Sequence, residues 1–141
     1  MKVKYILLTV VAVGLIGAGI GLKMFFKPHA DVSKLKADFV VNAPDLLSEF
    51  EKDETAATTK YGEKVLEITG KLAAKNQLPN GAELLVLEDE MQGISCQLDS
   101  AWTVDNQSAI EELAAGNQVK VKGVCKGYLM EIKVSPAVLI K

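Results

Sequence analysis

Hydrophobic and polar positions change period along the chain, and each change predicts a different element. Residues 5–22 (YILLTVVAVGLIGAGIGL) run 18 positions without a charge, and Met24, Phe25 and Phe26 extend the apolar character past Lys23. About 20 apolar residues cross a hydrocarbon core of ~30 Å as a helix, so residues 5–26 predict a transmembrane segment. The run exceeds the roughly 7–15 residues of a signal-peptide core and ends in no Ala-x-Ala site, which favours an uncleaved anchor over residues 1–27. Lysines flank both ends (Lys2 and Lys4, then Lys23 and Lys27), so the positive-inside bias is slight. A small domain after a first N-terminal segment is usually exported, which predicts a single-pass protein with a cytoplasmic N-terminus and its domain in the periplasm or outside the cell. Gly17 with Gly21, and Gly14 with Ala18, have the small-xxx-small spacing that brings membrane helices together as a homodimer, although glycine is common in membrane helices generally.

Residues 28–38 are polar and read as a tether closed off by Pro28. From residue 39 to 141 the pattern is that of one domain. Ala43, Leu46, Leu47 and Phe50 recur at helical spacing behind Asn42, Pro44 and Asp45, which predicts a capped amphipathic helix continuing toward Tyr61. At Lys64 the period becomes two: Leu66, Ile68 and Leu72 alternate with polar residues, and Gly70 marks a bulge or bend. Pro79-Asn80-Gly81 turns the chain into residues 83–88 (ELLVLE), and residues 94–98 (ISCQL) give a third strand. Ser108 and Glu111 form an S-x-x-E capping box for a helix ended by Gly116. Val119 and Val121 open a fourth strand, and residues 131–140, broken near Pro136, form a fifth. Three strands, a helix and two strands predict an all-β core in the form of a five-stranded OB barrel, with a helix between strands three and four and an amphipathic helix in front.

Charge then narrows the function. Four of the 16 lysines lie before residue 28, leaving 12 basic against 18 acidic residues and a charge of −6 for residues 28–141. An acidic surface disfavours a polyanion partner. Two cysteines and His29 are too few for a structural zinc site, and no cofactor or catalytic motif is present. The expected role is therefore a non-catalytic module for a protein or other envelope ligand.

Three segments carry a resemblance: residues 60–72 (KYGEKVLEITGKL), 93–99 (GISCQLD) and 113–129 (LAAGNQVKVKGVCKGYL). The region 39–141 resembles the bacterial tRNA_anti-like OB-fold family, most specifically in the V-K-G-x-C-x-G phrase at 121–127. The resemblance implies the OB fold and a membrane-anchored or lipoprotein context. It transfers no ligand-contact residue, and no lipobox cysteine is present here.

An OB barrel that binds single strands stacks bases on aromatics of strands two and three within a basic groove. Those strands here carry neither, and the loop joining them adds Glu88, Asp89 and Glu90. Nucleic acid is thus the disfavoured alternative, resting on Lys120, Lys122, Lys126 and Lys133, which read better as a solvated outer face that deters edge pairing. Trp102 and Tyr128 are candidate ligand platforms, or plugs of a barrel end. Cys96 and Cys125 share the inward parity of their strands, and an oxidising compartment predicts that they pair, the alternative being two buried free thiols.

Overall fold

The period-two segments close into the expected barrel. The computed structural model describes residues 2–25 and 31–140, so Pro28 and His29 lie outside the described residues, as do Phe26 and Lys27. The chain divides into two units, Met1–Ala30 and Asp31–Lys141.

In the first unit a helix, α1 (Lys2–Phe25), is long and apolar enough to cross a membrane. Its 24 residues reach about 36 Å at ~1.5 Å per residue. Thr9, the polar side chain in its upper part, donates its hydroxyl back to the Ile6 carbonyl at 2.8 Å, so it leaves no unpaired donor on the helix surface. Gly14, Gly17 and Gly21 each open onto empty space.

The second unit is built from β1 (Phe39–Asn42), α2 (Ala43–Lys52), α3 (Glu54–Tyr61), β2 (Val65–Gln77), β3 (Glu83–Leu87), β4 (Ile94–Leu98), α4 (Ser100–Asp105), α5 (Gln107–Glu111), β5 (Gln118–Leu129) and β6 (Glu131–Ile140). Sheet order is β1-β2-β3-β4-β6-β5, and pairing of β2 with β5 closes strands β2 to β6 into a five-stranded ring. β2 makes closure feasible by serving two neighbours. Val65 to Lys71 pair with β5, Leu72 to Gln77 pair with β3, and the register shifts at Leu72/Ala74, just past Gly70. The bend inferred from Gly70 is therefore real. Pro136 is accommodated at a second irregularity: Gly123 pairs with Ala137 and Cys125 with Val134, leaving Ser135 and Pro136 bulged out of the ladder, where a missing N–H is tolerated.

Inward residues of all five ring strands form one core with Ala43, Leu46, Phe50, Ala57 and Tyr61 of the leading helices. Leu46 and Phe50 are 0% and 2% exposed. Burial of side chains this size contributes about 1.5–3 kcal/mol each, so α2 is part of the barrel's stability.

Four local expectations are corrected. A sixth strand, β1, runs parallel to β2 outside the ring. The stretch read as a tether contains a 3-10 turn, Val32–Lys34, whose Val32 is 3% exposed. Lys122 Nζ fastens that turn by donating to the carbonyls of Ser33 and Leu35 at 2.9 and 3.0 Å. The helix between strands is two short helices, and Ser108 lies inside the second instead of capping it. The cap comes earlier: Asp99 accepts the Trp102 N–H at 2.9 Å to start α4. Finally, Asn42 holds the N-cap position of α2 with no side-chain bond to the backbone, and the leading helix breaks at Asp53, which caps α3 by accepting the Ala56 N–H at 3.0 Å.

Candidate functional site

On β3 and β4, the strands that bind single-stranded nucleic acid in OB barrels of that kind, the outward positions Leu84 and Gln97 pair with one another and are half-buried. Outward positions Val86 and Ser95 pair with one another and are only 5% and 6% exposed. The acidic loop after β3 is partly structural. Glu88 accepts the Lys71 N–H at 2.8 Å, tying the loop to the bend in β2, and Asp89 accepts the N–H groups of Met91 and Gln92. Those backbone donors hold the Asp89 carboxyl below its ordinary pKa.

The lysines that could have made a basic patch are largely engaged. Lys120 pairs with Glu67 at 3.4 Å, Lys126 with Glu63 at 2.9 Å, and Lys122 is committed to the 3-10 turn. Lys133 is exposed.

Trp102 and Lys120 do converge. Both line a groove of about 310 Å³ between the α4–α5 pair and the ends of β5 and β6. Leu113, Val119 and Leu139 contribute apolar lining, and Asn106 and Gln118 contribute carboxamides. The groove exists because Asp99 turns the chain out of β4 into α4, while Lys75 Nζ anchors the far end of α5 by donating to the Ile110 and Leu113 carbonyls at 2.9 and 3.2 Å. Asn106 is itself oriented, donating from Nδ2 to the Trp102 carbonyl at 2.9 Å. Chemically the groove offers a half-buried indole, an aliphatic lining and polar groups. A lining of this kind, apolar with a few polar groups, is what small-ligand clefts commonly have.

Tyr128 belongs to a different place. It stacks on Phe50 (centroids 5.9 Å), which stacks on Tyr61 (6.2 Å), which meets Phe39 edge-on (5.0 Å). This aromatic row docks the leading helices on the barrel. Burial pushes the Tyr61 phenol above its ordinary pKa. The phenol donates to Glu49 Oε1 at 2.8 Å, and Lys60 bridges the other carboxylate oxygen at 2.9 Å. Eight residues of β5, about 26 Å at ~3.3 Å per residue, separate Tyr128 from Lys120. Trp102, Tyr128, Lys120, Lys122 and Lys126 therefore do not form one surface.

The expected bridge between Cys96 and Cys125 is not formed in this structure. Both are free and buried, with inward parity as the alternation implied. The V-K-G-x-C-x-G phrase around Cys125 turns out to be barrel architecture. A Cβ on Gly123 would lie 2.5 Å from Val134 Cγ1 and 2.8 Å from the Pro136 carbonyl, and Gly127 has φ +110, which side-chain-bearing residues rarely adopt. Among the described residues no three His, Cys, Asp or Glu side chains group as a metal site.

No curated protein matches the chain. Among solved structures, the fold is similar to that of a candidate nucleic-acid-binding lipoprotein from Klebsiella pneumoniae subsp. pneumoniae, with TM-score 0.54 and 15% identity over 82% of this chain and 100% of that one. Weaker likenesses reach a Stn1–Ten1 complex from S. pombe (TM-score 0.41, 16% identity, 55% of this chain and 58% of that one) and a candidate aspartyl-tRNA synthetase from Leishmania major (TM-score 0.46, 11% identity, 82% and 22%). The tRNA_anti-like family model matches residues 1–136, spanning the apolar helix, β1 to β5 and residues 131–136 of β6. With its OB ring closed and its Gly-x-Cys-x-Gly phrase explained by that closure, the chain belongs to the tRNA_anti-like family.

Proposed function

We propose that this protein is a non-catalytic binding module tethered to the cell membrane by α1, with its barrel in the periplasm or outside the cell, and that it takes a protein or other envelope ligand in the Trp102 groove. The observation that carries this reading is the groove itself: a tryptophan over aliphatic residues, with a rim lysine already paired to Glu67. An apolar side chain of a ligand loses water against Leu113, Val119 and Leu139, while Asn106 and Gln118 hydrogen-bond its polar flank. The length and composition of α1 support the tether.

The second reading is a single-stranded nucleic acid. One specific feature favours it: Trp102, Gln118 and Lys120 offer a stacking face, an amide and an amine in one groove. Against it stand the charge of −6 over residues 28–141 and the engaged lysines.

A photo-crosslinking amino acid at Ala109, in the groove wall, tests the reading in intact cells. A polypeptide or envelope-component adduct that is lost on Trp102→Ala supports it. An adduct to RNA or DNA, or none, counts against it.

A further inference from the structure

The barrel end away from the groove presents a second, unassigned surface. β4 and β6 run parallel and both begin there, Ile94 paired with Ile132, and the Ile132 N–H donates to the Gly93 carbonyl at 3.2 Å. The two loops that precede them are consequently neighbours. The β3–β4 loop carries Met91, 83% exposed, and the β5–β6 hairpin tip carries Leu129 and Met130, 75% and 82% exposed. Exposed hydrophobics elsewhere on the barrel, such as Val40 and Val104, stand singly and need no explanation.

Two features fix how these side chains are presented. Met130 sits at φ +66, a left-handed conformation for which glycine or asparagine is the cheaper residue at a hairpin tip. Asp89 accepts the N–H of Met91 at 2.8 Å and of Gln92 at 2.9 Å, so the turn that presents Met91 is fixed by its own carboxylate. Unbranched thioether side chains fill irregular apolar pockets adaptively.

The surrounding charge narrows the occupant. Asp89, Glu90 and Glu131 border the tip, Lys133 follows on β6, and Lys126 is paired with Glu63. An acidic rim is repelled by an anionic bilayer and by a second acidic copy of itself, and attracts a basic one. We propose that Met91, Leu129 and Met130 form a docking knob for a partner protein whose surface presents an apolar pocket bordered by lysine or arginine. The knob and the Trp102 groove occupy opposite ends of the β5–β6 hairpin, so a variant in one leaves the other unaltered and the two readings fail separately.

The test uses the full-length chain in its own membrane, with a photo-crosslinking residue replacing Met91. The expected result is one discrete polypeptide adduct whose yield drops about tenfold in Met130→Gly and in Glu131→Lys. The Met130→Gly change relieves the left-handed backbone, so its melting temperature should hold or rise, which separates lost docking from lost folding. Basic residues of the captured pocket, replaced by glutamate, should abolish the adduct. An adduct of twice the chain's mass, crosslinks to lipid alone, a yield unchanged by Met130→Gly, or no adduct overturns the proposal.

Discussion

Cys96 on β4 and Cys125 on β5 are each in register with Val134 of β6, so a whole strand separates their backbones although both side chains face the barrel interior. Adjacent strands lie about 4.8 Å apart, which places these Cα atoms well beyond the roughly 4.4–6.8 Å that a disulfide spans. Burial pushes the Cys96 thiol up to about 12 and raises Cys125 as well, so neither forms thiolate at neutral pH. The native protein isolated without reductant should take up no iodoacetamide at pH 8 and two equivalents after denaturation, read by mass spectrometry. A mass two hydrogens short, with no uptake after denaturation, would restore the bridge.

Gly123→Ala should destabilise the barrel by about 2–3 kcal/mol, because its methyl meets both Val134 and the Pro136 carbonyl, and a backbone atom cannot rotate away. Urea melts compared with wild type give the value. An effect below about 0.5 kcal/mol would mean the family's phrase is held for something other than packing.

Acid sensitivity should trace partly to Glu49. Its hydrogen bond from Lys60, then that from Tyr61, hold its carboxyl below the ordinary 4.5. A depressed carboxylate contributes stability that is present above the unfolded value and lost as pH falls through the folded one. Melting temperature should stay level down to about that value and then fall, with a shallower fall in Glu49→Gln. Identical acid profiles for the two would remove Glu49 from the explanation.

Topology is tested with protease. If α1 spans the membrane with its N-terminus inside, protease added after permeabilising only the outer layer should digest the barrel, and the intact chain should sediment with membranes. Protection of the barrel, or a soluble form starting near residue 20 or 31, would contradict the tether.

Much of the ring was legible from the sequence because alternation in Leu66–Ile68, Ile94–Cys96–Leu98 and Val119–Val121 reports a buried face directly. What escaped was non-local or short. β1 has four residues and pairs in parallel across an intervening helix pair, with no hairpin signal to announce it. Val32 is buried in a turn packed against β5 and β6, which Lys122, far along the chain, reaches back to bond. Ser108 offered a better-looking cap than Asp99, yet Asp99 follows β4 directly and captures the chain first. Trp102 and Lys120 could each be named from the sequence, but their meeting with Asn106 and Leu139 is a product of ring closure. Leu129 and Met130 have no sequence signal of their own, because an apolar pair in a hairpin tip has the same pattern as strand and differs only in its exposure.

Nucleic-acid binding separates the two functional readings most directly. Fluorescence anisotropy of labelled single-stranded DNA and RNA should be measured against residues 31–141 across a salt series, with Trp102, the one tryptophan, as a simultaneous reporter of the groove. Anisotropy no different from that with an acidic control protein, and unchanged Trp102 emission, are expected at physiological salt. Micromolar or tighter binding that weakens steeply with salt, quenches Trp102 and disappears in Lys120→Glu would contradict the protein-ligand reading and establish the nucleic-acid one.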